Sequence, residues 1–197
     1  MAKKESSFIN MVLALTVVAM VASFTLATVY NLTKEPIARA REAARQAAIN
    51  MVVPEFDELR TKLFMPPTGR DSLEFNFAFR GGDMVGVAVS TYTDMGFSGR
   101  IRAMVGFQPD GRIIDVVHLQ HQETPGLGDK IEKSKSDWSD QFRGLDPTTT
   151  VIKVTKDGGD IDAITAATIT ARAYCDGIQR AFDTFYKHVL SEGGIIQ

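Results

Sequence analysis

The spacing of apolar residues changes character three times along this chain. From Phe8 to Tyr30 there is no period, because 23 successive residues carry no charge. At about 1.5 Å per residue such a helix reaches roughly 34 Å, enough for a hydrocarbon core of about 30 Å. From Pro36 the period becomes helical, with Ile37, Ala40, Ala44, Ala47 and Met51 three and four positions apart. Proline is tolerated in a first helical turn, and Pro54 ends the run. The spacing predicts a separate amphipathic helix there. Residues 54–71, with Pro54, Pro66, Pro67 and Gly69, read as a linker.

The period then drops to two. Leu73, Phe75, Phe77 and Phe79 alternate with polar or small residues, and Val85, Val87 and Val89 continue after Gly81-Gly82-Asp83. Ile101 to Phe107 and Arg112 to Leu119 are two further strands, joined by Pro109-Asp110-Gly111, a hairpin signal. Trp138 to Phe142 predicts one or two helical turns, and Thr150 to Val154 a fifth strand. Ile169, Ala173, Ile178, Phe182, Phe185 and Val189 return to helical spacing. The pattern predicts an α+β fold, an antiparallel sheet packed on a long C-terminal helix, with one N-terminal transmembrane helix. The expected boundaries are a tail over 1–7, an anchor over 8–30, a helix and linker over 31–71, and a domain over 72–197.

Charge narrows the function classes. Twenty-two basic and 24 acidic residues give a net charge of −2, which argues against a nucleic-acid partner. The lone Cys175 excludes an internal disulfide and a multi-cysteine metal site held by this chain alone. Lys3 and Lys4 precede the apolar run, while Lys34, Arg39, Arg41 and Arg45 follow it. That count leans slightly towards a cytoplasmic downstream side, and the charge bias alone leaves orientation open.

Candidate chemistry is sparse. His118 and His121 stand three apart, so a regular strand turns them to opposite faces. His121 and Glu123 could share a face, but a metal site needs three or four ligands, and none is expected here. Gly126-Leu127-Gly128 has Ile131 where a dinucleotide loop wants its third glycine. Two segments remain. In His121 to Lys130, Pro125 fixes a backbone angle, and Gly126 and Gly128 permit either a surface turn or close approach to a ligand. In Asp162 to Thr170, Thr165 and Thr168 open the last helix. They fit an N-cap, or a phosphate site on the helix dipole with Arg172 four residues on.

Several motifs together carry a family resemblance over nearly the whole chain. They are the anchor, Gly96-Phe97-Ser98-Gly99, Asp110-Gly111, His121-x-Glu123-Thr124-Pro125-Gly126-Leu127-Gly128, Trp138 with Phe142 and Gly144, and Asp162 to Thr168. The chain resembles the RnfG (RsxG) subunit of the Rnf electron-transport complex and, more distantly, the NqrC subunit of the sodium-pumping quinone reductase. The last segment is similar to that family's flavinylation motif, with Ala166 where a glycine is usual. The resemblance implies an FMN-binding domain with FMN held covalently on Thr168 through a phosphoester. Glu123, Thr124, Pro125, Gly126, Leu127 and Gly128 would then line the flavin ring, and Thr165, Thr170 and Arg172 would neighbour the phosphate. It further implies electron relay within an ion-translocating ferredoxin:NAD oxidoreductase, with the other membrane and peripheral subunits as partners. An FAD-dependent flavin transferase would serve for maturation. The domain is expected on the periplasmic side of a bacterial inner membrane. The alternatives are an NqrC-like subunit, a non-catalytic anchor or assembly subunit, and the flavin domain of a membrane regulator.

Overall fold

The computed structural model describes residues 7–191. The chain divides into two compact units, 1–44 and 45–197. Helix α1 covers Phe8–Val52 without interruption, and Pro36 lies inside it rather than at the start of a second helix. It is the one described helix long and apolar enough to cross a membrane. Thr16, Thr25, Thr28 and Thr33 each return their hydroxyl to a carbonyl four residues back at 2.8 Å, so these four hydroxyls are satisfied within the helix.

The second unit holds a five-stranded antiparallel meander: β1 Glu58–Phe64, β2 Leu73–Arg80, β3 Asp83–Thr93, β4 Ile101–Phe107 and β5 Ile113–Gln120. Strand β1 falls where the sequence predicted a linker. It is an edge strand with Glu58, Arg60 and Lys62 along one face, and such charges protect an edge from further pairing. The predicted strand at Thr150 to Val154 does not form; only a single parallel bridge links Val154 to Ile161. The hairpins are as expected. Gly81 and Gly82 take φ of 61° and 94°, as a tight turn of this hand requires, and Gly111 accommodates φ 97° between β4 and β5.

Both faces of the sheet are covered. Phe75, Phe77, Val89, Val105 and Phe107 pack against α2, Thr168–Phe185, through Ala171, Cys175, Ile178 and Phe182. On the other face Ala78, Ala88 and Met104 meet Ala48, Ile49 and Val52 at the end of α1. The packed stripe there is therefore 45-48-49-52; Met51, expected inward, is 61% exposed. Gly106 makes this contact possible, since an added Cβ would lie 1.8 Å from the Val52 carbonyl oxygen. The Arg45 guanidinium, on the same stripe, pairs with Glu74 of β2.

Candidate functional site

Three loops and the first turn of α2 enclose a cleft of about 340 Å³, lined by Phe97, Glu123, Thr124, Leu127, Gly128 and residues 166–170. Each wall is shaped by local chemistry. After β5, the Thr124 carbonyl accepts the amides of Leu127 and Gly128 at 3.1 and 3.0 Å, closing a turn with Pro125 and Gly126 at its centre. Gly126 has φ 78°, the value a type II turn needs at its third position. The opposite wall repeats the device. The Ile164 carbonyl accepts the Ala167 amide at 3.0 Å, and Ala166 occupies the corresponding position with φ 64°. Ala166 is the one described non-glycine residue with positive φ.

Glu123 joins the walls. It is buried, and its carboxylate accepts the Ser98 amide at 3.0 Å and the Thr170 hydroxyl. Gly128 packs into this junction: an added Cβ would lie 2.8 Å from Glu123 Cβ and 2.9 Å from Thr170 Oγ1. Gly96 is confined likewise by the Gly99 carbonyl oxygen, 2.2 Å from its would-be Cβ. Of the two glycines expected to admit a ligand, Gly126 serves the turn and Gly128 the packing of protein on protein.

Helix α2 begins inside the cleft. Its N-cap residue is Ala167, which offers no side-chain cap, so neither Thr165 nor Thr168 plays the capping role open to it from sequence. The first intrahelical bond runs from the Ala171 amide to the Ala167 carbonyl at 3.1 Å. The amides of residues 168–170 thus stay available where the helix dipole is positive, and all three residues line the cleft. Beyond this wall, Trp138 Nε1 donates to the Asp162 carbonyl at 2.7 Å, and Gln141 Oε1 accepts the Asp162 amide at 2.8 Å. The predicted helical turn at Trp138–Phe142 exists as a 3₁₀ turn, and it holds the segment that leads to Thr168.

The matches to known proteins bear on the same segments. A family model for an FMN-binding domain matches residues 96–183, which contain every wall of the cleft. A second, described as the RnfG N-terminal region, matches residues 1–52. The G subunit of the ion-translocating oxidoreductase complex of Vibrio atlanticus is 33% identical over 187 residues, 86% of this chain and 86% of that relative. Its counterpart in Aliivibrio fischeri is 36% identical over 189 residues, covering 90% and 89%.

The chain belongs to the RnfG family.

The corresponding protein of Shewanella piezotolerans is 46% identical over a shorter stretch of 114 residues. There the chain spans about half of the relative's length, 54%.

The fold agrees with the FMN-binding domain of an RnfG protein, and so do the residues of the cleft. Phe97, Leu127 and Ile169 are 67%, 41% and 48% exposed, apolar surface suited to a flat aromatic ring. Thr124, Thr168 and the free amides supply polar contacts beside them. Ile169, expected on the buried face of α2, belongs to this exposed surface. The cleft brings together Glu123, Thr124, Leu127, Gly128, Thr168 and Thr170 among the residues singled out from sequence. Pro125, Gly126 and Thr165 form the supporting turns. Arg172 is not in the lining. Its guanidinium is committed to Asp157 by two bonds of 2.6 Å, a partner other than the phosphate expected for it. Phe97 lies in a motif that carries the resemblance, yet sequence reasoning does not reach it as a site residue. Its single aromatic ring in a glycine-flanked turn is the signal that could mark it.

Proposed function

We propose that this subunit carries FMN covalently on Thr168. We further propose that it relays electrons within an Rnf-type ion-translocating ferredoxin:NAD oxidoreductase, anchored by α1 with its domain on the extracytoplasmic side. The observation that carries the reading is the position of Thr168, first residue of α2, in the cleft wall with no side-chain cap competing for the amides beside it. These amides and the dipole stabilise the negative charge of a phosphodiester. FMN, when bound, supplies the capacity to accept and release electrons singly. The protein's part is to hold and shield. Thr168 Oγ1 is the point of attachment, Phe97, Leu127 and Ile169 exclude water from a ring, and Thr124 offers a hydrogen bond at the rim. Glu123 keeps the walls in register.

A threonine hydroxyl is a weak nucleophile unless activated. Attachment therefore calls for a separate magnesium-dependent transferase that uses FAD. The Thr168 oxygen forms a bond to the FMN phosphorus, the pyrophosphate bond breaks, AMP leaves, and the hydroxyl proton passes to base. Co-expression with that enzyme should raise the intact mass by one FMN less one water, with the addition on the tryptic peptide containing Thr168. Thr168→Ala should abolish it and leave the domain folded. A wild-type chain without covalent flavin, when the transferase modifies another substrate, would overturn the reading.

A further inference from the structure

A second side-chain cluster lies outside the cleft. Strand β5 ends at Gln120, so His121 is freed from the strand's alternation, and its ring meets that of His118 edge-on with centroids 5.5 Å apart. Glu132 completes the group. His121 Nε2 lies 2.9 Å from Glu132 Oε1 and His118 Nε2 lies 4.0 Å from Oε2. One donor atom from each of the three residues can be chosen so that all lie within 4.8 Å of one another. Two donors each about 2.1 Å from one tetrahedral ion stand roughly 3.4 Å apart, within the span these atoms already occupy.

His121 is bonded to Glu132, but the His118 side of the cluster is open. The 4.0 Å separation is too long for a hydrogen bond, and His118 Nδ1 is buried with no hydrogen-bond partner. His118 therefore faces the carboxylate without being bonded to it. Ser134 Oγ donates to Glu132 Oε2 at 3.1 Å, the kind of outer contact that orients a ligating carboxylate. Glu123, which could have shared a face with His121, is instead turned to Ser98 and Thr170.

We propose that His118, His121 and Glu132 form a site for a divalent transition-metal ion of the zinc class, with water completing its coordination. Two imidazoles and one carboxylate suit such ions better than calcium or magnesium. Binding is coupled to the turn at Glu123. The Glu123 amide donates to His121 Nδ1 at 3.1 Å, which puts the ring proton on Nε2, facing Glu132. An ion on Nε2 takes that lone pair, and the proton moves to Nδ1. There it opposes the Glu123 N–H, and that hydrogen bond is lost.

The test uses the untagged full-length chain in detergent, titrated with cobalt(II) followed by visible absorption, and with zinc(II) by calorimetry. One ion per chain should bind, with zinc displacing cobalt. His118→Gln and Glu132→Gln should each weaken binding by about tenfold or more, while circular dichroism shows both folded. His188→Gln should leave affinity unchanged. In nitrogen-15 spectra the Glu123 amide should shift with metal occupancy. Absence of saturable binding at one ion per chain, or wild-type affinity in both ligand variants, would overturn the site. Binding that leaves the Glu123 amide unmoved would overturn the coupling.

Discussion

The Thr170 hydroxyl donates to the carboxylate of Glu123, 47 residues earlier in the chain, while the other oxygen of that carboxylate accepts the Ser98 amide. One buried acid thus ties the first turn of α2 to the loop after β5 and the loop after β3. Glu123→Ala and Thr170→Val should each lower stability. A double-mutant cycle should give a coupling of about 1.5–3 kcal/mol, as expected for a hydrogen bond to a charged group. Denaturant melts of the four proteins measure it, and additive losses would show the bond to be idle.

Ala166 bears a conformation that suits glycine. At φ 64° its Cβ crowds the backbone, and that strain exceeds the entropy alanine removes from the unfolded chain. Ala166→Gly should therefore stabilise the domain by about 1 kcal/mol. Chemical denaturation followed by Trp138 fluorescence checks it; a lower midpoint would show that the turn has adapted to alanine.

Asp115 sets an acid limit on stability. Its burial opposes ionisation, but bonds from Arg143, Lys133 and the Val116 amide together outweigh that and hold its carboxyl below the usual range. A depressed carboxylate stabilises the fold above its unfolded pKa of about 4, and the benefit is lost as pH falls through the folded value. Asp115→Asn should cost about 2 kcal/mol at neutral pH. The gap from wild type should stay level down to about pH 5 and narrow in stronger acid. Thermal melts across that range report it.

Cys175 should resist thiol reagents in the native protein. It is buried in α2 against the sheet, and burial pushes its thiol up to about 12, so little thiolate is present. Unfolding should release its reactivity. Asp110→Cys, in the exposed β4–β5 hairpin, then becomes a clean probe of sidedness. An impermeant maleimide should label it in intact cells, and labelling only after lysis would place the domain in the cytoplasm.

The legible elements are those with one dominant local signal. The alternating strands from Leu73 onward and the final helix can be read because each buries a regular face, the Pro109-Asp110-Gly111 hairpin by its turn residues, and the run from Phe8 by its unbroken lack of charge. Strand β1 is hidden by prolines on both sides and by charges on an edge that needs only one neighbour. Thr150 to Val154 misleads because Ile152 and Val154 enter the core from a loop, where a strand would also place them. In the cleft, sequence locates both turns but not the bond from Thr170 to Glu123, which depends on long-range packing. It also gives Arg172 to the phosphate, although Asp157, exposed and fifteen residues earlier, holds it.

The meander has a consequence for the order of events in biosynthesis. Each strand pairs with its successor in the chain, so the sheet can close hairpin by hairpin as the polypeptide emerges. Thr168 lies beyond all five strands, at the head of the last helix. A nascent chain that has not yet delivered α2 leaves Phe75, Phe77, Val105 and Phe107 bare and lacks one wall of the cleft. Completion of the cleft is therefore the last structural act of the domain, and any enzyme that recognises the assembled walls meets only chains that have finished folding.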